Sequence, residues 1–265
     1  MNFSTISAII LAVGVLIYGL ILSAADSGLA MFYDFPSLFI VLGGVVAATA
    51  MSFQYRRMWA VVKAGTGRIL KGKPVDFREL IKDVILSVDA YRKGESLKAL
   101  ADKSKDEFYR EGIMLLSDGV MTPEQIFVLM EERNENLFFL YSEDATKLKV
   151  VGKYPPAFGM MGTTMGMIVL LANLNGTDAI KRVGPAMGIC LITTLYGTVM
   201  ANFGFLPMAD NMVEQAKEKY LKNKILLEGL KLLSIKENPI IVAEKLNSFI
   251  HPGDRLDWKT VLGGR

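Results

Sequence analysis

Four stretches of the chain run apolar over lengths that fit a helix crossing a hydrocarbon core, which takes about 20 residues: Ser7–Ala24, Phe35–Phe53, Pro156–Leu174 and Pro185–Pro207. Elsewhere the pattern changes to apolar positions at helical spacing among charged ones. "DFRELIKDVILSVDAYRKG" places Phe77, Leu80, Ile81, Val84, Ile85 and Val88 on one face. "TPEQIFVLMEERNENLFFLYSEDATKLKVVGKY" predicts a second helix, with Thr122 as its N-cap, Pro123 in its first turn and Gln125 set to bond back. "ADNMVEQAKEKYLKNKILLEGLKLLSI" predicts a third amphipathic helix running on from the last apolar stretch. There is no period-two strand pattern, internal repeat or long disordered linker. The expected fold is an all-α membrane protein of four transmembrane helices, with a helical domain between spans two and three and a further helix at the C-terminal end.

Lys and Arg positions orient these spans. The link "AADSGLAMFYD" has neither, whereas "QYRRMWAVVKAGTGRILKGK" carries Arg56, Arg57, Lys63, Arg68, Lys71 and Lys73 and no acid. The second segment is therefore expected in the cytoplasm, with both termini on that side. Lys181 and Arg182, in the link between spans three and four, run against the rule. The first stretch lacks a basic leader and reads as a span rather than a cleaved signal. Residues 1–53 then form spans one and two, 54–154 a cytoplasmic helical domain, 155–208 spans three and four, and 209–265 a cytoplasmic tail.

Composition agrees with a membrane protein that has a substantial aqueous part: 51% hydrophobic residues and mean hydropathy +0.33, yet 22% charged. Cys190 and His251 are the only residues of their types, which excludes an intrachain disulfide or a multi-histidine metal site. The chain shows no phosphate-binding loop and no nucleophile–base pair at readable spacing. No enzyme activity, cofactor or nucleic-acid partner is expected.

The candidate chemistry lies in "PPAFGMMGTTMGMIVLL" and in the span after it. Gly159, Gly162, Thr163 and Gly166 follow the i, i+3, i+4, i+7 spacing of one helix face. Span four has its own stripe of small residues: Ala186, Cys190, Thr193, Gly197, Ala201 and Gly204, with Thr194 and Thr198 beside it. Small residues let membrane helices approach closely, so a packing seam explains them. Alternatively they line a narrow polar path along which Thr163, Thr193 and Thr194 offer oxygens to an ion. Spans three and four contain no Asp, Glu, Lys or Arg. A conducting chain would therefore take its membrane carboxylate from another subunit. Pro156 and Pro207 sit at the cytoplasmic ends of the two spans, as helix boundaries or as bends.

"PPAFGMMGTTMGMIVLL" and "VGPAMGICLITTLYGTVMANFGFLPMAD" resemble the third and fourth spans of the MotA/PomA flagellar motor stator family, within the MotA/TolQ/ExbB proton channel superfamily. The likeness extends to "SLFIVLGGVVAATAMSF", "GIMLLSDG" and "EGLKLLSIKENPIIVAEKLNSFIHPGDR", in the same order along nearly the whole chain. It implies an inner-membrane, ion-driven motor subunit that transports Na+ or H+ and assembles as a homopentamer. Its partner would be a MotB/PomB-like single-span subunit that carries the ion-binding aspartate and whose helices the small-residue faces would receive. The resemblance implies ion-path roles for Thr163, Thr193, Thr194, Tyr196, Pro156 and Pro207, and a packing face of Gly159, Gly162, Gly166, Gly197 and Ala201. It also implies a contact with a FliG-like rotor protein. Arg92 matches the basic position of that contact, while the acid falls on neither Glu95 nor Asp102 cleanly. Threonine oxygens suit Na+ more than a proton.

Three other readings stay open at this point. An ExbB/TolQ-type unit would have three spans and an outside N-terminus, against the topology expected here. A stator-like motor could instead power gliding, defence or an outer-membrane process. The chain could also be a passive membrane scaffold.

Overall fold

The computed structural model describes residues 3–24, 28–54, 56, 58–63, 75–172 and 179–263. Most of the basic segment expected in the cytoplasm (Arg57, Arg68, Lys71 and Lys73), part of the first link, and the link at 173–178 lie outside them. Every long element is helical, and no strand occurs among the described residues. In chain order the helices are α1 Phe3–Ser23, α2 Phe35–Ser52, α3 Phe77–Arg92, α4 Leu97–Lys103, α5 Glu107–Asp118, α6 Pro123–Val151, α7 Tyr154–Ala172, α8 Ala179–Val199, α9 Leu206–Ser234, α10 Pro239–Asn247 and α11 Trp258–Leu262. Residues 58–63 are also helical.

Among the described residues three helical stretches are long and apolar enough to cross a membrane: Leu29–Ser52, Pro123–Ala172 and Val183–Ser234. Ile10–Ser23 is a shorter apolar stretch within α1. The spans expected from Pro156 and Pro185 begin earlier than their prolines suggested. α7 takes both Pro155 and Pro156 into its first turn, where no intrahelical N–H is needed. α8 carries Pro185 in its interior.

The chain divides into two compact units, Met1–Lys73 with Ser142–Val213, and Pro74–Tyr141 with Glu214–Arg265. The expected separation of a middle domain from a tail differs from this division. The reason is the apolar stripe of α9: Leu226, Leu230 and Leu233 are buried in one core with Ile81, Val84, Ile85 and Val88 of α3. Ile113, Ile126, Met130, Val242 and Leu246 complete that core. Its helices start on side-chain caps. Asp76 accepts from Arg78 N and Glu79 N, Asp106 from Phe108 N and Tyr109 N, and Asn238 from Ile240 N. Thr122 and Gln125 form the reciprocal box expected from their spacing, with bonds of 3.0 and 3.4 Å. Burial pushes the Tyr109 phenol well above its ordinary pKa, so it stays neutral at any physiological pH.

α4 and α5 answer to no helix foreseen from the pattern. α4 has 7 residues, too few for a periodic stripe to show, and it is held by the Ser96 cap. α5 ends at Gly119 in the left-handed region, φ 65°, a conformation that glycine adopts without steric cost.

In the other unit, α8 does not pass directly into α9. Met200–Phe205 form a π-helical segment between them. Pro207 follows one residue later, after Leu206; it has no N–H to give Phe203, and its ring crowds that carbonyl, so the tighter α spacing is disfavoured there.

Candidate functional site

α7 and α8 lie backbone to backbone. A methyl group on Gly197 would sit 2.4 Å from the Pro155 carbonyl oxygen, and one on Gly159 would sit 3.0 Å from the Thr193 carbonyl. On Gly162 it would meet the Thr193 side chain at 2.6 Å, and on Gly166 the Cys190 sulfur at 2.5 Å. Gly159, Gly162, Gly166, Gly197 and Ala201 are all buried. The small-residue face is therefore a seam within this chain, occupied by the neighbouring helix. Thr193 belongs to the same seam: it is 0% exposed, and its hydroxyl reaches its own helix's Ile189 and Cys190 carbonyls at 2.8 and 3.0 Å.

The seam has two flanks, and they differ in chemistry. On one, α2 packs in. Phe158 covers Gly44, where an added methyl would come within 2.2 Å of the ring. Tyr196 points to this side too. Its hydroxyl donates to the Phe32 carbonyl at 2.6 Å and accepts from the Asp34 N–H at 3.1 Å. Asp34 in turn caps α2, accepting from the Ser37 N–H at 2.8 Å and the Ser37 hydroxyl at 2.5 Å. Tyr196 is thus not brought together with the threonines.

On the other flank Thr163 and Thr194 meet, oxygen to oxygen, at 2.5 Å. The Thr163 hydroxyl also lies 3.1 Å from the Gly159 carbonyl and 3.0 Å from that of Cys190. Thr194 reaches the Cys190 carbonyl at 3.4 Å. One turn above and below Thr163, on the same side, lie Met160 and Met167; Leu191 and Thr198 hold the equivalent places around Thr194, and all four are exposed. Two hydroxyls thus sit together in an open methionine- and leucine-rich surface.

Each hydroxyl has one proton and two lone pairs. If Thr194 donates to Thr163 and Thr163 to the Cys190 carbonyl, both protons are used. What remains on the flank is acceptor oxygen. The arrangement suits a cation or an acidic hydrogen-bond donor brought from outside the chain. No cluster of metal-binding side chains occurs among the described residues.

The prolines stand at one end of this pair of helices. Pro156 is half-buried, its Cα 3.2 Å from where a methyl on Gly197 would fall, while Pro207 is exposed just beyond the π segment. Nothing in the local sequence signals that segment; proline alone marks a boundary, not the helix type before it. In the other unit Arg92 and Asp102 are exposed, Arg92 bonding the Glu237 carbonyl at 3.3 Å. Glu95 is half-buried and ion-paired with Lys103.

The chain belongs to the MotA/TolQ/ExbB proton channel family, whose pattern its residues 100–224 match. Among its relatives, Motility protein A of Borreliella burgdorferi is 31% identical over 243 residues, which span 90% of each chain. Chemotaxis protein PomA of Vibrio alginolyticus is 27% identical over 261 residues, covering 96% of this chain and 98% of PomA. The fold matches a chain in the C. jejuni MotAB structure with a TM-score of 0.84 at 25% identity, over 97% of this chain and 99% of that one.

Proposed function

We propose that this chain is the ion-path subunit of a flagellar stator, turning an ion gradient into rotation. Motility and chemotaxis relatives that span nearly all of it support that reading. The single observation that carries it is the Thr163–Thr194 pair, an acceptor surface on the open flank of a seam whose two spans hold no carboxylate.

In this reading α1 is a fourth crossing beside the three long apolar stretches, and both termini face the cytoplasm. Copies of the chain form a homopentamer around a MotB/PomB-like partner, whose helix lies against the open flank rather than against the glycines. The partner's aspartate supplies the missing charge. A Na+ ion or proton that neutralises this aspartate beside Thr163 and Thr194 removes the cost of holding a charge against Met160, Met167 and Leu191. Relief of that cost lets the ring step. Each charge crossing 100 mV supplies about 2.3 kcal/mol, enough to shift weak contacts only. The proline-flanked π segment between α8 and α9 is placed to pass the step inward. Arg92, Asp102 and Glu95 are the candidate contacts to a FliG-like rotor ring; Glu95 would first have to leave Lys103.

The oxygens of the pair favour Na+, which needs several oxygen ligands where a proton needs only the carboxylate. Rotation measured in cells with and without Na+, at fixed membrane potential, is expected to fall away in Na+-free buffer. Undiminished speed there assigns the coupling ion as the proton. Absence of any ion-driven rotation or flux, with the partner present, would overturn the stator reading itself.

A further inference from the structure

We infer that Tyr196 is a positioning residue: its hydroxyl sets the roll of α8 about its own axis, and with it the presentation of Thr194. The inference rests on the stator reading above and adds a residue that does not touch the ion.

A seam of glycines brings backbones together but offers few interlocking side chains. Its knobs are two small side chains, Thr193 over Gly162 and Cys190 over Gly166. Ridges of this size resist rolling less than the large side chains of an ordinary helix pair. The roll of α8 must then be fixed from its flanks. By the step of a helix, Thr194 and Tyr196 stand about 160° apart around the axis, so they project to nearly opposite sides. One side is held by Thr194 on Thr163 at 2.5 Å, the other by Tyr196 on the backbone of Phe32 and Asp34 at 2.6 and 3.1 Å.

The Tyr196 anchor is a firm one. It both donates and accepts, and it grips main-chain groups next to the N-cap of α2, where Asp34 is itself tied to Ser37. In apolar surroundings such bonds are costly to leave unmade. Without them the α2 side keeps only helix packing and a long, 3.4 Å bond from the Ser37 hydroxyl to the Ile189 carbonyl, so α8 is held more loosely there than on the threonine side. A roll of one residue's step would carry Thr194 toward the seam and bring a bulky neighbour to the open flank.

The test is Tyr196→Phe, which keeps the ring, in the full chain produced with its partner. Rotation speed is titrated against the coupling ion, as Na+ concentration or as pH. The ion level for half-maximal speed is expected to rise about fivefold, as loss of a net hydrogen bond implies. Top speed per unit and the number of units per motor should be unchanged. Unaltered ion dependence overturns the inference, and so does a fall in unit number with unaltered ion dependence, which marks a purely structural role. If the wild-type chain shows no ion dependence at all, the stator reading fails and takes this inference with it. Should Tyr196→Phe not reach the membrane, Tyr196→His keeps a ring N–H on a shorter side chain. A raised half-saturating ion level there, with unit number unchanged, supports the inference, and wild-type ion dependence refutes it.

Discussion

Replacing Thr163 by valine is expected to stop ion-driven rotation at ordinary ion levels while the chain still inserts and assembles. Valine matches threonine in shape, so the seam beside it should close as before. What disappears is the hydroxyl that joins Thr194 to the Cys190 and Gly159 carbonyls. Thr194 then has only a 3.4 Å bond to the Cys190 carbonyl, and the open flank loses one of its two acceptors. Hydrogen bonds to charged groups contribute about 1.5–3 kcal/mol, so the half-saturating ion level should rise roughly 10- to 100-fold. Speed against ion concentration, with stator units counted per motor, reads this out. A passive scaffold would keep both its units and its ion dependence.

The second large effect is steric. Gly197→Ala is expected to remove most of the folded chain from the membrane. Its new methyl would sit 2.4 Å from the Pro155 carbonyl oxygen, with Pro155 carbon at 3.0 Å and Pro156 Cα at 3.2 Å. These are backbone atoms at the start of α7, which cannot swing aside as a side chain can. Overpacking typically costs about 1–3 kcal/mol, and here the strain falls on the seam that also carries the threonines. Gly188→Ala provides the control on the same helix, since nothing lies within 4 Å of its added methyl. Removing glycine from a helix interior stabilises it by about 0.5–1 kcal/mol, so this variant should be neutral or slightly more stable. Membrane level and thermal melting in detergent separate the two; equal behaviour would contradict the packing described.

The apolar stretches were legible because length and hydropathy are local properties. So was the apolar face of α3: Ile81, Val84, Ile85 and Val88 are fully buried, with Phe77 and Leu80 packed beside them. Which surface such a face meets is a different matter. Nothing in the α9 stripe reveals that it closes on α3, more than 130 positions back in the chain, so the tail and the middle segment read as separate parts.

The same limit shaped the site. Spacing put Gly159, Gly162, Thr163 and Gly166 on one face, but a helix face is wide. Thr163 stands at its edge, one residue's step from the buried Gly162, and that step separates a seam from an open flank. Thr193 and Thr194 are adjacent in sequence and differ still more, one enclosed and one exposed. Tyr196 bonds backbone 162 and 164 positions away, a pairing that no local pattern could disclose.

The most direct test is a structure of the assembled complex resolved to side chains. It should show a foreign helix seated on the flank of Met160, Thr163, Met167, Leu191 and Thr194, its acidic side chain within one ion's reach of the paired threonine oxygens. A flank that faces only lipid, with that acid directed elsewhere, would contradict it.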